Sequence, residues 1–279
     1  MKICDLHTHS VFSDGTFTPA EIIDSAINIG LSAVALCDHN TVDGLPDFLS
    51  AAQGKTIEAV TGAEFSVDLN GKELHLLGLF ISPRYFAQIS EMTALSNKRK
   101  EQSNIELIHS LSKVGVVLDY DEIKQKTPNG QINRAHIAAA LTEKGYTLSI
   151  KHAFDTLLSR SAGHYKDPQR TTVWEMIGVI NSMDAVPVLA HPFLNLCERE
   201  LVEFLPSAKA QGLKGMECYY SLYDERTTAL SLELAERFGL ARSGGSDFHG
   251  AHKPDISLGI GKGNLQIPYE WCNILKSLT

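Results

Sequence analysis

The chain is 279 residues long, 43% apolar, and carries a formal net charge of −8. That length suits one large domain, or one domain carrying an insertion, and the composition excludes a disordered chain. The acidic balance excludes attraction of the whole molecule to nucleic acid, so a long duplex is not an expected partner, and any phosphate must be held by local cations or metal.

In chain order, residues 2–6 read as a first apolar strand. Thr18-Pro19-Ala20-Glu21 then has the chemistry of a helix start: Thr18 caps, Pro19 fits the first turn and Glu21 completes a capping box, with Gly30 as the stop. Further strands are expected at residues 33–37, 58–61, 74–80, 186–190, 215–219 and 240–243. Helical patterns separate most of them. Thr172 and Glu175 repeat the capping pair, and helices after Cys197 and Asp224 end near Gly212 and Gly239. This alternation predicts βα units and a parallel sheet. Residues 83–169 break it with helices alone. Ile105, Ile108 and Leu111 have helical spacing, Asn133 caps a helix running to Gly145, and Ser149 starts another ending near Arg160. The expected organisation is therefore a barrel-forming region, residues 1–82 and 170–279, interrupted by a helical insertion at 83–169.

Five cysteines (Cys4, Cys37, Cys197, Cys218, Cys272) are odd in number and dispersed, which argues for reduced thiols rather than a disulfide framework. No apolar run approaches a membrane span and no basic-then-apolar leader opens the chain, so a cytoplasmic protein without a membrane partner is expected.

The chemistry gathers at the expected carboxyl ends of the strands, where parallel α/β folds build their sites. His7 and His9 come first, then His39, Glu64, His75, His191, Asp247 and His249, with Asp14 in the first loop. Strand residues two apart share a face, so His7 and His9 point together, as do Asp247 and His249 if the strand geometry continues. Nitrogen and oxygen donors without sulfur suit Zn, Mn or Fe. So many titratable groups can share one pocket only if cations compensate them. Their number exceeds the needs of one ion and predicts a cluster of two or three, an arrangement that activates water and clamps an in-line displacement.

D-L-H-T-H-S with S-D-G, then C-D-H-N, G-A-E-F, E-L-H-L-L-G, L-A-H-P and G-S-D-F-H-G, resemble the motif series of the PHP (polymerase and histidinol phosphatase) superfamily, in order and across nearly the whole chain. The helical insertion resembles the branch holding nucleoside 3′,5′-bisphosphate phosphatase, AMP phosphoesterase and a 5′-to-3′ exoribonuclease. The resemblance implies an α/β fold, a distorted (β/α)7 TIM-like barrel with a helical insertion acting as a substrate cap, and three divalent ions, Mn, Fe or Zn. It implies one ion on His7, His9, Glu64 and Asp247, a second on Glu64, His75 and His191, and a third on Asp14, His39 and His249. The amidohydrolase superfamily also opens with H-x-H, but there a carboxylated lysine commonly bridges the metals. The Glu at that position and the terminal D-x-H fit PHP better.

The implied activity is hydrolysis of phosphate esters of nucleotides: a nucleoside 5′-monophosphate, a 3′,5′-bisphosphate, or the 5′ end of a short oligonucleotide. A hydroxide between the ions near Glu64 is the expected nucleophile, with Glu64, His191 and Asp247 as the catalytic set. Arg134 and His136 open an insertion helix and Arg160 follows another; these three are the expected phosphate contacts, with Lys166 or His164 as substitutes. Lys98-Arg99-Lys100 reads as a solvated helix face. His252 is a candidate for the mouth, and Glu217 and Asp5 for support behind the ligands. Tyr219 and Tyr220 could stack a base, with packing as the default. Gly259, Gly261 and Gly263 follow no clear strand and fail as a phosphate loop. The competing readings are a histidinol-phosphate-type phosphatase and a non-catalytic, metal-stabilised scaffold.

Overall fold

The computed structural model describes residues 2–127 and 132–279. Among these, the strands are β1 (Ile3–Thr8), β2 (Ala33–Leu36), β3 (Glu58–Leu69), β4 (Lys72–Leu79), β5 (Val186–Leu189), β6 (Gly215–Tyr220), β7 (Ala241–Gly245) and the two-residue β8 (Ile267–Pro268). They form one sheet in the order β7-β6-β5-β4-β3-β2-β1-β8. The sheet curls into a nearly closed barrel. Beyond Gly245 the chain crosses to β1, where the Asp247 amide donates to the His7 carbonyl (2.8 Å) and the His9 amide donates to the Phe248 carbonyl (2.9 Å). A Cβ at Gly245 would lie 2.2 Å from that of His7, so only glycine permits this approach.

The expected parallel sheet is corrected at its centre. β4 runs antiparallel to both β3 and β5. β3 does not stop at residue 61 but continues to Leu69, and Asn70-Gly71 turns the chain back, with φ of 52° and 83°. Positive φ at both central residues is the signature of a type I′ hairpin, which Asn-Gly adopts at little cost. Glu64 therefore lies inside a long strand, and His75 reaches the site from the first half of a reversed one.

Helices α1 (Pro19–Asn28), α2 (Leu45–Ala52), α7 (Val173–Ser182), α8 (Glu198–Gln211) and α9 (Glu225–Arg237) pack outside the sheet. The capping boxes read from sequence at Thr18/Glu21 and Thr172/Glu175 both form. In β2, Val34 and Leu36 join the outer core while Ala33, Ala35 and, just past the strand, Cys37 join another, as alternation requires. That inner core includes Cys272 and Leu275 of α10 (Tyr269–Lys276).

Between β4 and α7 lie α3 (Phe86–Ser112), α4 (Tyr120–Lys126), α5 (Arg134–Glu143) and α6 (Ile150–Asp155). They enclose a core of their own, including Leu107, Leu111, Ile123, Ile137, Leu141 and Leu158. The helix capped by Ser149 is shorter than expected and ends at Asp155; Arg160 opens a separate 3-10 turn. No described helix is long and apolar enough to cross a membrane.

Candidate metal centre

The nine side chains singled out in the sequence converge at one end of the barrel, and seven of them, all but His39 and His75, are buried. Glu64 is the hub. Its Oε1 lies 2.7 Å from His75 Nδ1 and 2.9 Å from His191 Nε2. Its Oε2 lies 3.0 Å from His39 Nδ1, 3.3 Å from His9 Nε2 and 3.4 Å from His7 Nε2. Asp247 Oδ1 approaches His9 Nε2 at 3.2 Å and His249 Nδ1 at 3.3 Å. Asp14 Oδ1 lies 3.3 Å from His249 Nε2, and Asp14 Oδ2 lies 3.7 Å from His39 Nε2.

Irregular backbone delivers these groups. The register shifts in β1 between Asp5 and Thr8, and in β6 between Glu217 and Tyr219, both where side chains leave the sheet for the site. His191 (φ 27°) and Asp247 (φ 55°) adopt left-handed conformations that non-glycine residues rarely enter, a cost the surrounding packing must sustain.

The donor set fits cations. Ring nitrogens of His7 and His9 meet at 3.1 Å, and Asp14 Oδ1, His39 Nδ1 and His191 Nδ1 are buried with no hydrogen-bond partner. Three groups have geometry able to hold an ion: His9, Asp14, His39 and His249; His7, His9 and Glu64; and His39, Glu64 and His75. Burial would raise the Glu64 carboxyl, but the imidazoles of His75, His39 and His7 hold it well below the usual range. Burial opposes charge on His75 too, yet the Glu64 carboxylate pushes its pKa up to about 10. His9 goes the other way, lowered by burial and by the neighbouring His249.

Behind the ring stand supports that the sequence only partly indicated. Glu217 bonds His7 Nδ1 at 3.0 Å with one oxygen and accepts the His191 amide at 2.7 Å with the other. Asp5 was expected to orient an imidazole but touches none. It accepts from Ser246 Oγ (2.5 Å), the Ser246 amide (2.9 Å) and the Gly259 amide (2.8 Å), thereby holding the turn that carries Asp247. Tyr220 does not offer a stacking face: it is buried and donates to Asp247 Oδ2 at 2.9 Å, while Tyr219 packs on Trp271. Asp38, Glu73, Arg170 and Lys253 were missed. Asp38 accepts from Ser10 Oγ (2.6 Å) and Ser13 Oγ (2.5 Å), bracing the loop that carries Asp14; its place beside His39 in C-D-H-N was the available signal. Lys253 Nζ lies 2.5 Å from Asp247 Oδ2.

The flanking cations are placed unequally. Glu73, two residues before His75 and on its strand face, bonds Arg170 at 2.9 Å and lies 3.6 Å from Arg134. Arg134 also stacks over Tyr165 at 4.4 Å. Lys100 is not part of a solvated face. It is partly buried, and its charge is felt by Asp14, Glu73 and Arg134. Arg160 is 57% exposed and pairs with Asp167. His164 bonds Ser110, and the Lys166 carbonyl accepts from Ser103. His136 is driven neutral, to about 4, chiefly by burial.

The PHP domain model matches residues 5–166, more than half of the chain. The protein belongs to the PHP domain family. This PHP protein is 30% identical over 252 residues to a 5′-3′ exoribonuclease of Haemophilus influenzae, covering 89% of this chain and 90% of that one. It is 31% identical over 255 residues to a 3′,5′-nucleoside bisphosphate phosphatase of Chromobacterium violaceum, covering 89% and 88%. A Bifidobacterium adolescentis structure described as a metal-dependent phosphoesterase superposes with a TM-score of 0.88 at 26% identity, covering 99% of this chain and 96% of that one. The relatives are thus hydrolases of phosphate esters, on the fold expected from the motifs.

Proposed function

We propose that this PHP protein is a metal-dependent phosphoesterase that hydrolyses phosphate esters of nucleotides: a 5′-monophosphate, a 3′,5′-bisphosphate or the 5′ end of a short oligonucleotide. The observation that carries the reading is the convergence of nine N/O side chains on one cleft, seven of them in groups able to hold an ion and His191 and Asp247 beside them, with buried atoms left unpaired. Both relatives named above act on phosphorylated nucleotides or RNA ends.

The occupancy we propose is three divalent ions, Mn, Fe or Zn. The two Glu64 oxygens face different histidines and would serve more than one ion: Oε1 lies toward His75 and His191, and Oε2 toward His39, His9 and His7. Asp14, His39 and His249 supply a third set, with Asp247 beside His7 and His9. Bound there, such ions supply Lewis acidity toward phosphoryl oxygens and a nucleophile from water at neutral pH. The protein's own part is orientation. Glu217 fixes the His7 ring through Nδ1, leaving Nε2 toward the centre, and Tyr220 with Lys253 fixes Asp247 Oδ2, leaving Oδ1. Arg134, with Lys100 nearby, offers cationic contacts to phosphate beyond the scissile ester. His136 Nδ1 accepts the Asn133 amide at 3.0 Å, so its Nε2 carries a hydrogen for an oxygen acceptor. Arg160, largely exposed and paired with Asp167, has less support for this role than Arg134.

The test is phosphate release from a nucleotide panel by metal-loaded protein. His9→Ala should remove most turnover and bound metal; near-normal turnover by that variant would defeat the scheme. Arg134→Ala should raise KM for a bisphosphate more than for a monophosphate, and an equal effect on both would remove Arg134 from the phosphate contacts.

A further inference from the structure

The two flanks of the cleft differ in chemistry. On one, Arg134, Arg170 and Lys100 gather about Glu73. On the other, a cavity of about 150 Å³ lies between α4, α5 and the turn at Gly250–His252, lined by Ile123, Ala139, Ala140, His136 and His252 together with Lys126, Lys144, Glu122 and Glu143. Its charges cancel among themselves. Lys126 pairs with Glu122 at 3.3 Å and Glu143 at 2.8 Å, and Lys144 pairs with Glu122 at 2.8 Å. No lysine there is left unpaired to hold a phosphate.

The walls are two imidazoles with assigned hydrogens. His136 Nδ1 accepts the Asn133 amide, which a protonated ring could not do. His252 Nδ1 donates to the Asp14 carbonyl at 2.7 Å, so the same ring touches the metal-ligand loop and the cavity. The rings stand edge to face, centroids 5.3 Å apart at 83°. The lining is therefore mostly apolar, with its lysines and glutamates paired to one another, Ala139, Ala140 and Ile123 beside two imidazole rings, and a link to the centre through His252. A flat heteroaromatic ring, apolar on its faces and polar at its edge, matches those walls.

We propose that this cavity is the subsite for the nucleobase of the substrate. The proposal rests on the nucleotide phosphoesterase reading and adds to it a division of the cleft, with anionic groups on the Arg134 side and the base on the His136 and His252 side. Recognition by stacking and apolar contact tolerates any base, so the subsite selects for the presence of a base rather than its identity.

The experiment fills the cavity from a position away from the metal centre. Ala139 lies partly exposed in the middle of α5, where leucine keeps helix propensity. Metal-loaded Ala139→Leu should raise KM for AMP and for a 5′-phosphorylated dinucleotide by about tenfold, the scale of a lost base stack, leaving kcat and the KM for ribose 5-phosphate unchanged. Ala139→Val should give a smaller rise of the same kind, which guards against a misfolded leucine variant. An unchanged KM for AMP, or an equal rise for ribose 5-phosphate, overturns the subsite. If the parent protein releases phosphate from none of these compounds, it is the phosphoesterase reading that has failed. The cavity is then judged by equilibrium dialysis of adenosine: binding lost in Ala139→Leu supports it, and binding absent or unchanged overturns it.

Discussion

Asp38 shows how much of the centre depends on residues that hold no metal themselves. Its carboxylate takes the Ser10 amide and the hydroxyls of Ser10 and Ser13, and so fixes the loop that presents Asp14. Asp38→Ala would strand those buried donors, at a cost of about 1–3 kcal/mol. The expected outcome is a lower denaturant midpoint together with weaker retention of metal, measured by elemental analysis after dialysis. Stability lost with metal content unchanged would confine Asp38 to the fold. At the same scale, His75 predicts a proton count. Glu64 holds its pKa up to about 10, so the metal-free protein carries this proton at neutral pH. The sign follows: the stabilisation is fully present below the unfolded value near 6.5 and is lost as pH rises through about 10. A metal ion must displace the proton, so loading at pH 8 should release at least about one. Calorimetric titration in two buffers of different ionisation enthalpy reads this directly, and a heat independent of buffer would contradict it. The nine donors were legible residue by residue because each stands in a short motif; Glu73 and Arg170 were not, because their partners are distant in sequence, and Lys253 was not, because it lies beyond the last motif.

At the scale of elements, the hairpin decides the centre. Without the turn at Asn70-Gly71, β4 could not run backward and His75 would not face Glu64. Gly71→Val places a β-branched residue at φ 83°, and should destabilise the protein by about 1–2 kcal/mol. Equilibrium unfolding measures the loss, and a parallel fall in activity at saturating metal would show His75 shifting with the turn. The turn signal was present in the sequence, an Asn-Gly pair flanked by strand residues. It was masked because Glu64, Ser66 and Asp68 interrupt the apolar run, which made β3 look shorter than it is. Glu64 and Ser66 are polar because that part of the strand borders the site, while Asp68 accepts the Gly71 amide of the turn. Helix starts were plainer: the Thr18 and Thr172 caps depend only on residues three apart, so local sequence suffices. Lys100 was misread for the complementary reason, since helical spacing alone does not say which face of α3 meets the cleft.

For the whole molecule, the centre is also a closure. β7 meets β1 through Gly245, and the next residues carry Asp247 and His249 to the histidines of β1. Gly245→Ala would drive a methyl group against His7 and part the two strands, an overpacking cost of about 1–3 kcal/mol. Activity should fall with it, because His7 and Asp247 both sit at the seam. Normal metal content and turnover in that variant would show the seam to be slack. Metal removal should act on the same seam. Metal that binds the folded centre and not the unfolded chain stabilises the fold, so saturating metal should raise the melting temperature by about 5 °C or more over chelated protein.

The sequence by itself determined the family, the barrel class, the helical stretch between β4 and α7 and the nine donors, because motifs, periodicity and caps are local properties of the chain. The tertiary structure decided what those donors form. It reversed β4, closed β7 onto β1, set the two oxygens of Glu64 between different histidines, and gathered Arg134 and Arg170 about Glu73 beside the centre. Apart from the reversal of β4, which a local turn begins, each of these depends on side chains tens or hundreds of residues apart meeting within a few ångströms, and pairing at that range is settled by packing of the whole barrel rather than by any stretch of its sequence.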